Sequence, residues 1–220
     1  QAGLRQGMQY LIFANWIATT LTLVLAEPIV RLLFEGERFD SSATQRAALA
    51  LQCLIPGLVS FSLVNIIARA FFALGEVTLT MRISLLSLTC NLVFAFFLIP
   101  TFKQAGMGLS NALSSLINLG FLWYAMQKKF PNMQVKEMIR PTFWIMGAGI
   151  FAALIAWIAS RSCDVYLSLE SKFHQTLMVF IPLCLGLATY GGLTFVLKIE
   201  ACLDVLKLFR QKLDKIGSKV

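Results

Sequence analysis

Residues 83–102 read ISLLSLTCNLVFAFFLIPTF and residues 104–127 read QAGMGLSNALSSLINLGFLWYAMQ, with a single lysine, Lys103, between them. An α-helix rises about 1.5 Å per residue, so roughly 20 apolar residues cross the ~30 Å hydrocarbon core of a bilayer. The two stretches hold 20 and 24 residues, and each is long enough to cross once. Working outward, four further uncharged stretches appear at Gln6–Ala26, Ala47–Ala68, Pro141–Ser160 and Phe173–Leu197, giving six in all. Period-two alternation over ten-residue blocks, the mark of a membrane barrel, is absent. Helices are the other way to satisfy every backbone group in lipid. The expected fold class is therefore an all-α membrane protein with six transmembrane helices. Residues 1–197 form the membrane part, and residues 198–220 a basic amphipathic tail helix.

Composition agrees. Of 220 residues, 58% are hydrophobic and 14% charged, against about half and about a quarter in soluble domains. The mean hydropathy of +0.75 is spread along the chain, which excludes a soluble domain on one anchor as well as disordered and disulfide-stapled classes. The chain opens on Gln1, and no removable signal peptide is visible, so it reads as a piece of a longer protein.

Orientation follows from the bases. Threading six spans alternately puts Arg5, Arg69, Arg82, Lys128, Lys129, Lys136, Arg140, Lys198 and the tail bases on one side, 13 in total. Arg31, Arg38, Arg46, Lys103, Arg161 and Lys172 fall on the other. The positive-inside rule then places both ends in the cytoplasm. The net charge of +8 sits on that side, where anionic phospholipid headgroups are a sufficient partner and nucleic acid is unnecessary.

The connections carry their own expectations. Pro28 starts a short amphipathic turn through Phe34, Ser41 and Ser42 offer N-caps to the second span, and Pro56-Gly57 kinks it. In the tail, Ile199, Cys202, Leu206, Phe209, Leu213 and Ile216 recur at helical spacing, as on a surface-lying helix.

Catalytic chemistry is not indicated. No stretch contains Asp or Glu, although embedded carboxylates are what membrane enzymes need. His174 stands alone at the outer end of the sixth span and reads as an interface residue rather than a proton relay. The five cysteines show no C-x-x-C pair or metal-ligand spacing, so no metal and no cofactor is expected. Gly106-Met107-Gly108 lacks the strand and third glycine of a phosphate cradle and reads as close helix packing. The polar residues inside spans, Asn15, Gln52, Asn65, Asn91, Asn111 and Asn118, are of the kind that bond between helices. Arg69 and Arg82 flank the second cytoplasmic connection, where they can anchor at the interface or grip a headgroup.

Three runs resemble a known family. Pro28-Ile29-Val30-Arg31-Leu32-Leu33-Phe34-Glu35-Gly36-Glu37-Arg38-Phe39 is similar to Pro-Ile-x-x-Leu-Leu-Phe-x-x-Gly-x-Phe of the MurJ/MviN lipid II flippases. Arg69-Ala70-Phe71-Phe72-Ala73-Leu74-Gly75-Glu76-Val77-Thr78 resembles its Arg-x-Phe-Tyr-Ala-x-x-Asp-x-x-Thr-Pro, and Gly106 to Leu113 the Gly-x-x-Gly-Leu-Ala opening of a later helix. Phe72 for Tyr, Glu76 for Asp and Leu79-Thr80 for Thr-Pro mark a divergent member. The likeness runs from about Leu11 to Phe121, and the last two spans agree in layout.

The resemblance implies helices nine to fourteen of a fourteen-helix, two-lobed flippase of the bacterial inner membrane. Its substrate would be a lipid-linked peptidoglycan precursor, moved by alternating access. It implies that the N-terminal part of the same protein supplies the charged cavity, and that the last two helices form a groove for the lipid tail. Arg69, Arg82 and Asn65 are the candidate substrate-binding residues here. A polysaccharide-lipid flippase or cation-coupled exporter of the same superfamily, or a non-transporting scaffold, would share the architecture.

Overall fold

A computed structural model describes residues 2–35, 40–130, 136–166, 172–199 and 201–204. Seven α-helices run through them in order. α1 is Ala2–Phe34, α2 Ser41–Leu54, α3 Gly57–Ala73, α4 Val77–Phe102, α5 Gln104–Lys129, α6 Lys136–Tyr166 and α7 Lys172–Val196.

α1 departs from the expected boundaries, because Pro28 does not begin a separate turn. The helix continues through it to Phe34. Proline forfeits one backbone bond there, and the same turns are clasped by Arg31, whose guanidinium reaches Glu27 Oε1 at 2.7 Å and Glu35 Oε2 at 3.3 Å, one turn either side. The cap of α2 is likewise corrected. Asp40, not Ser41 or Ser42, is the N-cap, and its carboxylate accepts from the Ala43 N–H at 2.8 Å. Ser42 donates its hydroxyl to the same carboxylate. That ring of donors holds the Asp40 carboxyl below its ordinary value, the Ala43 N–H contributing most.

The kink expected at Pro56 is a full break. α2 ends at Leu54, α3 starts at Gly57, and their axes differ by 40°. α1, α4, α6 and α7 are each long and apolar enough to cross a bilayer, and α2 with α3 makes a fifth crossing if the bent pair is one span. α5 has 26 residues but falls outside that group, since Gln104, Ser110, Asn111, Ser114, Ser115 and Asn118 dilute its hydrophobicity. Those polar positions serve packing. The buried residues of α5 include Ala105, Gly106, Gly108, Ser110, Ala112, Ser114 and Ser115, a small-residue seam against α2, α3 and α4.

The hairpin of α4 and α5 turns at Lys103, which adopts φ +52°. It closes so tightly that a Cβ on Gly106 would strike the Leu98 carbonyl. Gly108 lies equally close to α2, where a Cβ would stand 2.6 Å from the Ala50 oxygen. The glycine run thus packs helices, as its sequence implied. Along α4 the only buried residues are Thr80 and Ser87, while Leu85, Leu88, Leu92, Phe96 and Phe97 are exposed. Polar inside and apolar outside is the reverse of a soluble amphipathic helix and suits lipid or further helices.

The core lies around α1. Met8, Ile12, Ile17 and Leu21 meet Leu63, Ile67 and Phe71 of α3, Leu122 and Met126 of α5, and Ala148, Ala152 and Ala156 of α6. The alanines recur every four residues and let α6 approach closely. Trp16 Nε1 donates to the Met146 carbonyl at 3.2 Å, and the Tyr190 hydroxyl of α7 to the Phe13 carbonyl at 2.8 Å.

Interhelical bonding is only part of what the span polar residues do. Gln52 donates to the Leu23 carbonyl, and Asn91 to Asn111 Oδ1 at 3.1 Å across the hairpin. Asn15, by contrast, bonds back to Leu11 of its own helix, and Asn118 Oδ1 is buried with no partner. Of the tail, residues 201–204 form a short helical turn in which Ala201 and Cys202 are buried with Ile199 against the bundle. The expected amphipathic positions Leu206, Phe209, Leu213 and Ile216 lie outside the described residues.

Candidate functional site

The bases gather at one end of the bundle. Arg69 is near the end of α3, Arg82 in the second turn of α4, Lys128 and Lys129 end α5, Arg140 begins the apolar part of α6, and Lys198 follows α7. Two contacts tie these termini together. Lys129 Nζ pairs with Glu76 Oε1 at 2.5 Å, fastening the α3–α4 corner to the end of α5. The Tyr10 hydroxyl of α1 donates to Asp204 at 2.6 Å, fastening the segment after α7 to the start of the bundle. Both partners of the first pair are substantially exposed, so it positions the corner while adding only about 0–1 kcal/mol.

The corner itself is a helix C-cap with glycine in its usual place. Glu76 N–H bonds to the Phe71 carbonyl, Gly75 N–H to that of Phe72, and Gly75 takes φ +77°. Asn65 and Arg69 stand four residues apart on one exposed face of α3, with Phe61 and Phe72 also exposed along it. Arg82 is exposed on α4. None of the three makes a hydrogen bond or ion pair among the described residues. The structure therefore puts Asn65 and Arg69 on one stripe and leaves Arg82 on a neighbouring helix that touches α3 only slightly.

Two hollows accompany this stripe. Beside the corner, a cavity of about 510 Å³ lies between α3, α4 and α5, lined by Phe71, Leu79, Ile83, Tyr124, Lys128 and Lys129 among others. It combines an apolar floor with the Lys128 ammonium and with Lys129, whose charge is already paired with Glu76. The second, about 520 Å³, is a groove between α1, α3, α5 and α6, bordered by Met8, Ile12, Leu63, Trp123, Phe143 and Met146. Nearly all of it is hydrocarbon, so it can hold an acyl or prenyl chain. The family resemblance puts a tail groove on the last two spans. This groove uses α6, but its described lining includes no residue of α7.

Sequence reading did not find the Tyr10–Asp204 tie or the Lys128–Lys129 cavity wall. Glu76 carried a signal, as the lone carboxylate in a basic connection, but its partner is 53 residues away. His174 lies half-buried beside Phe173, ring centres 6.2 Å apart, at the end opposite the bases.

Comparison with known proteins extends the motif resemblance. The profile of the family described as lipid II flippase MurJ matches residues 1–187, well beyond the motif-bearing part. A "Probable lipid II flippase MurJ" of Bdellovibrio bacteriovorus is 25% identical over 191 residues, covering 86% of this chain and 35% of the relative. One of Buchnera aphidicola subsp. Schizaphis graminum is 32% identical over 142 residues, covering 60% and 28%. Among solved structures, "Lipid II flippase MurJ, inward closed conformation" superposes with a TM-score of 0.67 at 15% identity, over 88% of this chain and 39% of that one. The chain thus spans about a third of the length of the relatives it matches. The fold is shared with that structure.

Proposed function

This chain belongs to the MurJ family of lipid II flippases, and from that premise we infer that it is the C-terminal portion of a protein that carries a lipid-linked peptidoglycan precursor from the inner to the outer leaflet. The single observation that carries the reading is the family match over residues 1–187. The exporter, polysaccharide-flippase and scaffold alternatives have no comparable support.

On this reading all six stretches span, α5 among them. Its polar seam would be shielded inside the lobe by α2, α3 and α4. Residues 1–197 are the membrane part, equivalent to helices nine to fourteen, and residues 198–220 a basic tail. The basic end faces the cytoplasm, a reading that the base distribution supports, and anionic phospholipids neutralise it. Alternating access then rocks this lobe against the N-terminal lobe, and the stripe of α3 lies where the two face each other. Arg69 meets the diphosphate as a planar, two-pronged donor, Asn65 supplies a neutral amide one turn away, and Arg82 adds charge at the mouth. The apolar groove between α1, α3, α5 and α6 takes part of the prenyl chain.

Depleting the full-length protein tests the reading. Lipid-linked precursor should accumulate and the wall weaken, and full-length protein should reverse both. An unchanged precursor pool in depleted cells would count against it. For Arg69, complementation by Arg69→Lys should lose much of the transport and Arg69→Ala nearly all, at equal membrane abundance. Full growth with Arg69→Lys would remove the arginine from the site.

A further inference from the structure

The second uncharged stretch is broken near its middle. α2 and α3 hold 14 and 17 residues, about 21 and 25 Å of helix, with Ile55 and Pro56 between them. Pro56 has no N–H for the Gln52 carbonyl, and the Leu58 N–H bonds to Ile55 instead of Leu54. Backbone bonds that would stiffen the junction are therefore missing, and the axes differ by 40°. Gly57, the first residue of α3, bears on α5, since a Cβ there would lie 3.0 Å from Ala112 Cα. The break supplies a hinge, and that contact a fulcrum.

Beyond the hinge, α3 has a hollow on either side. The groove of about 520 Å³ shared with α1, α5 and α6 reaches Leu63, and the one of about 510 Å³ shared with α4 and α5 reaches Phe71. The second stays open because α4 is held to α5: Ser87 donates to the Ser114 carbonyl at 2.8 Å, and Asn91 bonds to Asn111. Phe71 is buried and faces Leu79, Ile83 and Ala125 across that hollow, so a tilt exchanges one apolar contact for another. At its far end α3 is tied to α5 by the Lys129–Glu76 ion pair, a weak tie because both partners are more than a third exposed. Gly75, beside Glu76, accepts changed dihedrals at little cost. Arg69 stands about 18 Å along α3 from Gly57, so a tilt of about 10° moves it by about 3 Å, the length of a hydrogen bond.

We propose that α3 is a hinged element that pivots at Pro56-Gly57, its basic end entering the hollow over α4 and α5 when the Lys129–Glu76 pair opens and carrying Arg69 with it. The motion is the step by which this lobe admits or releases an anionic headgroup. That purpose rests on the flippase reading, whereas the pivot itself does not.

The test is a distance, which can be read whether or not the protein transports. Full-length protein freed of its native cysteines takes spin labels at Ala73→Cys, the end of α3, and at Ile139→Cys on α6, both exposed positions. In lipid nanodiscs this parent should give two distances about 4 Å apart. Glu76→Gln should raise the share of the ion-pair-open one by up to about fivefold. Pro56→Ala lets α2 run on into α3; it should melt at or above the parent midpoint, as proline leaves a helix interior, and collapse the two distances to one. Ala125→Phe, which fills the hollow, should leave only the distance with the ion pair made. Pro28→Ala, at a proline that α1 passes without a break, should keep both. A single distance in the parent and in Glu76→Gln alike would overturn the proposal, and so would two distances persisting in both Pro56→Ala and Ala125→Phe. Two distances in a protein whose depletion leaves the precursor pool unchanged would uphold the pivot and remove the flippase reading alone.

Discussion

Adding one methyl group at Gly108 should loosen the bundle more than any exposed change of similar size. Its Cβ would lie 2.6 Å from the Ala50 carbonyl oxygen, 3.0 Å from the Leu54 nitrogen and 3.2 Å from Cys53 Cβ, all on α2. Ordinary contact begins at 3.4 Å, so α5 must retreat from α2 by about 0.8 Å, and most of the seam moves with it. Overpacking of this kind costs about 1–3 kcal/mol, and backbone on both sides puts Gly108 toward the upper figure. Alanine returns up to about 1 kcal/mol of helix propensity, leaving a net loss of roughly 2 kcal/mol. Gly120, on the same helix, has nothing within 4 Å of the same added atom and supplies the control. Thermal unfolding of full-length protein in detergent should show a lower midpoint for Gly108→Ala and an unchanged or higher one for Gly120→Ala. Equal midpoints would refute the close approach of α5 and α2.

Three further outcomes are expected. Asn91→Ala and Asn111→Ala should each destabilise the hairpin by about 0.6 kcal/mol, and the double variant should cost less than the two singles together, as a double-mutant cycle by thermal unfolding would show. Because Asp40 titrates lower in the folded protein, its contribution to the α2 N-terminus is present at neutral pH and is lost as pH falls below the ordinary value of 3.8. Protection of the amides at the start of α2, measured against their intrinsic exchange rates, should fall in acid in the parent protein and lose that pH dependence in Asp40→Asn. In intact cells, an impermeant thiol reagent should label a sole cysteine at 163 and reach a sole cysteine replacing Lys128 only after permeabilisation; the reverse pattern would invert the orientation. Cys202 is unsuited to that purpose because it is buried.

Much of the fold was legible where local chemistry decides it. The uncharged runs gave the helices, Lys103 marked the hairpin, and Gly106 and Gly108 announced close packing. Legibility failed where a distant or competing partner intervenes. Pro28 reads as a helix start until Arg31 is seen bridging Glu27 and Glu35. Asp40 outcompetes Ser41 and Ser42 because a carboxylate accepts several donors at once. Counting charge-free residues also hides the polar seam of α5, whose serines and asparagines are uncharged but not apolar. For the site, the motif singled out Arg69, and helical spacing placed Asn65 one turn before it. The hollows either side of α3 had no such signature, since their walls come from helices far apart in the chain that only folding brings together.

On the proposed function, the full-length protein sets which leaflet holds the lipid-linked precursor. The most direct measurement is the fraction of that precursor open to an impermeant hydrolase added outside intact spheroplasts, before and after rapid depletion. The accessible fraction should fall sharply while total precursor rises, and re-expression should restore it. An accessible fraction that stays constant through depletion would contradict it.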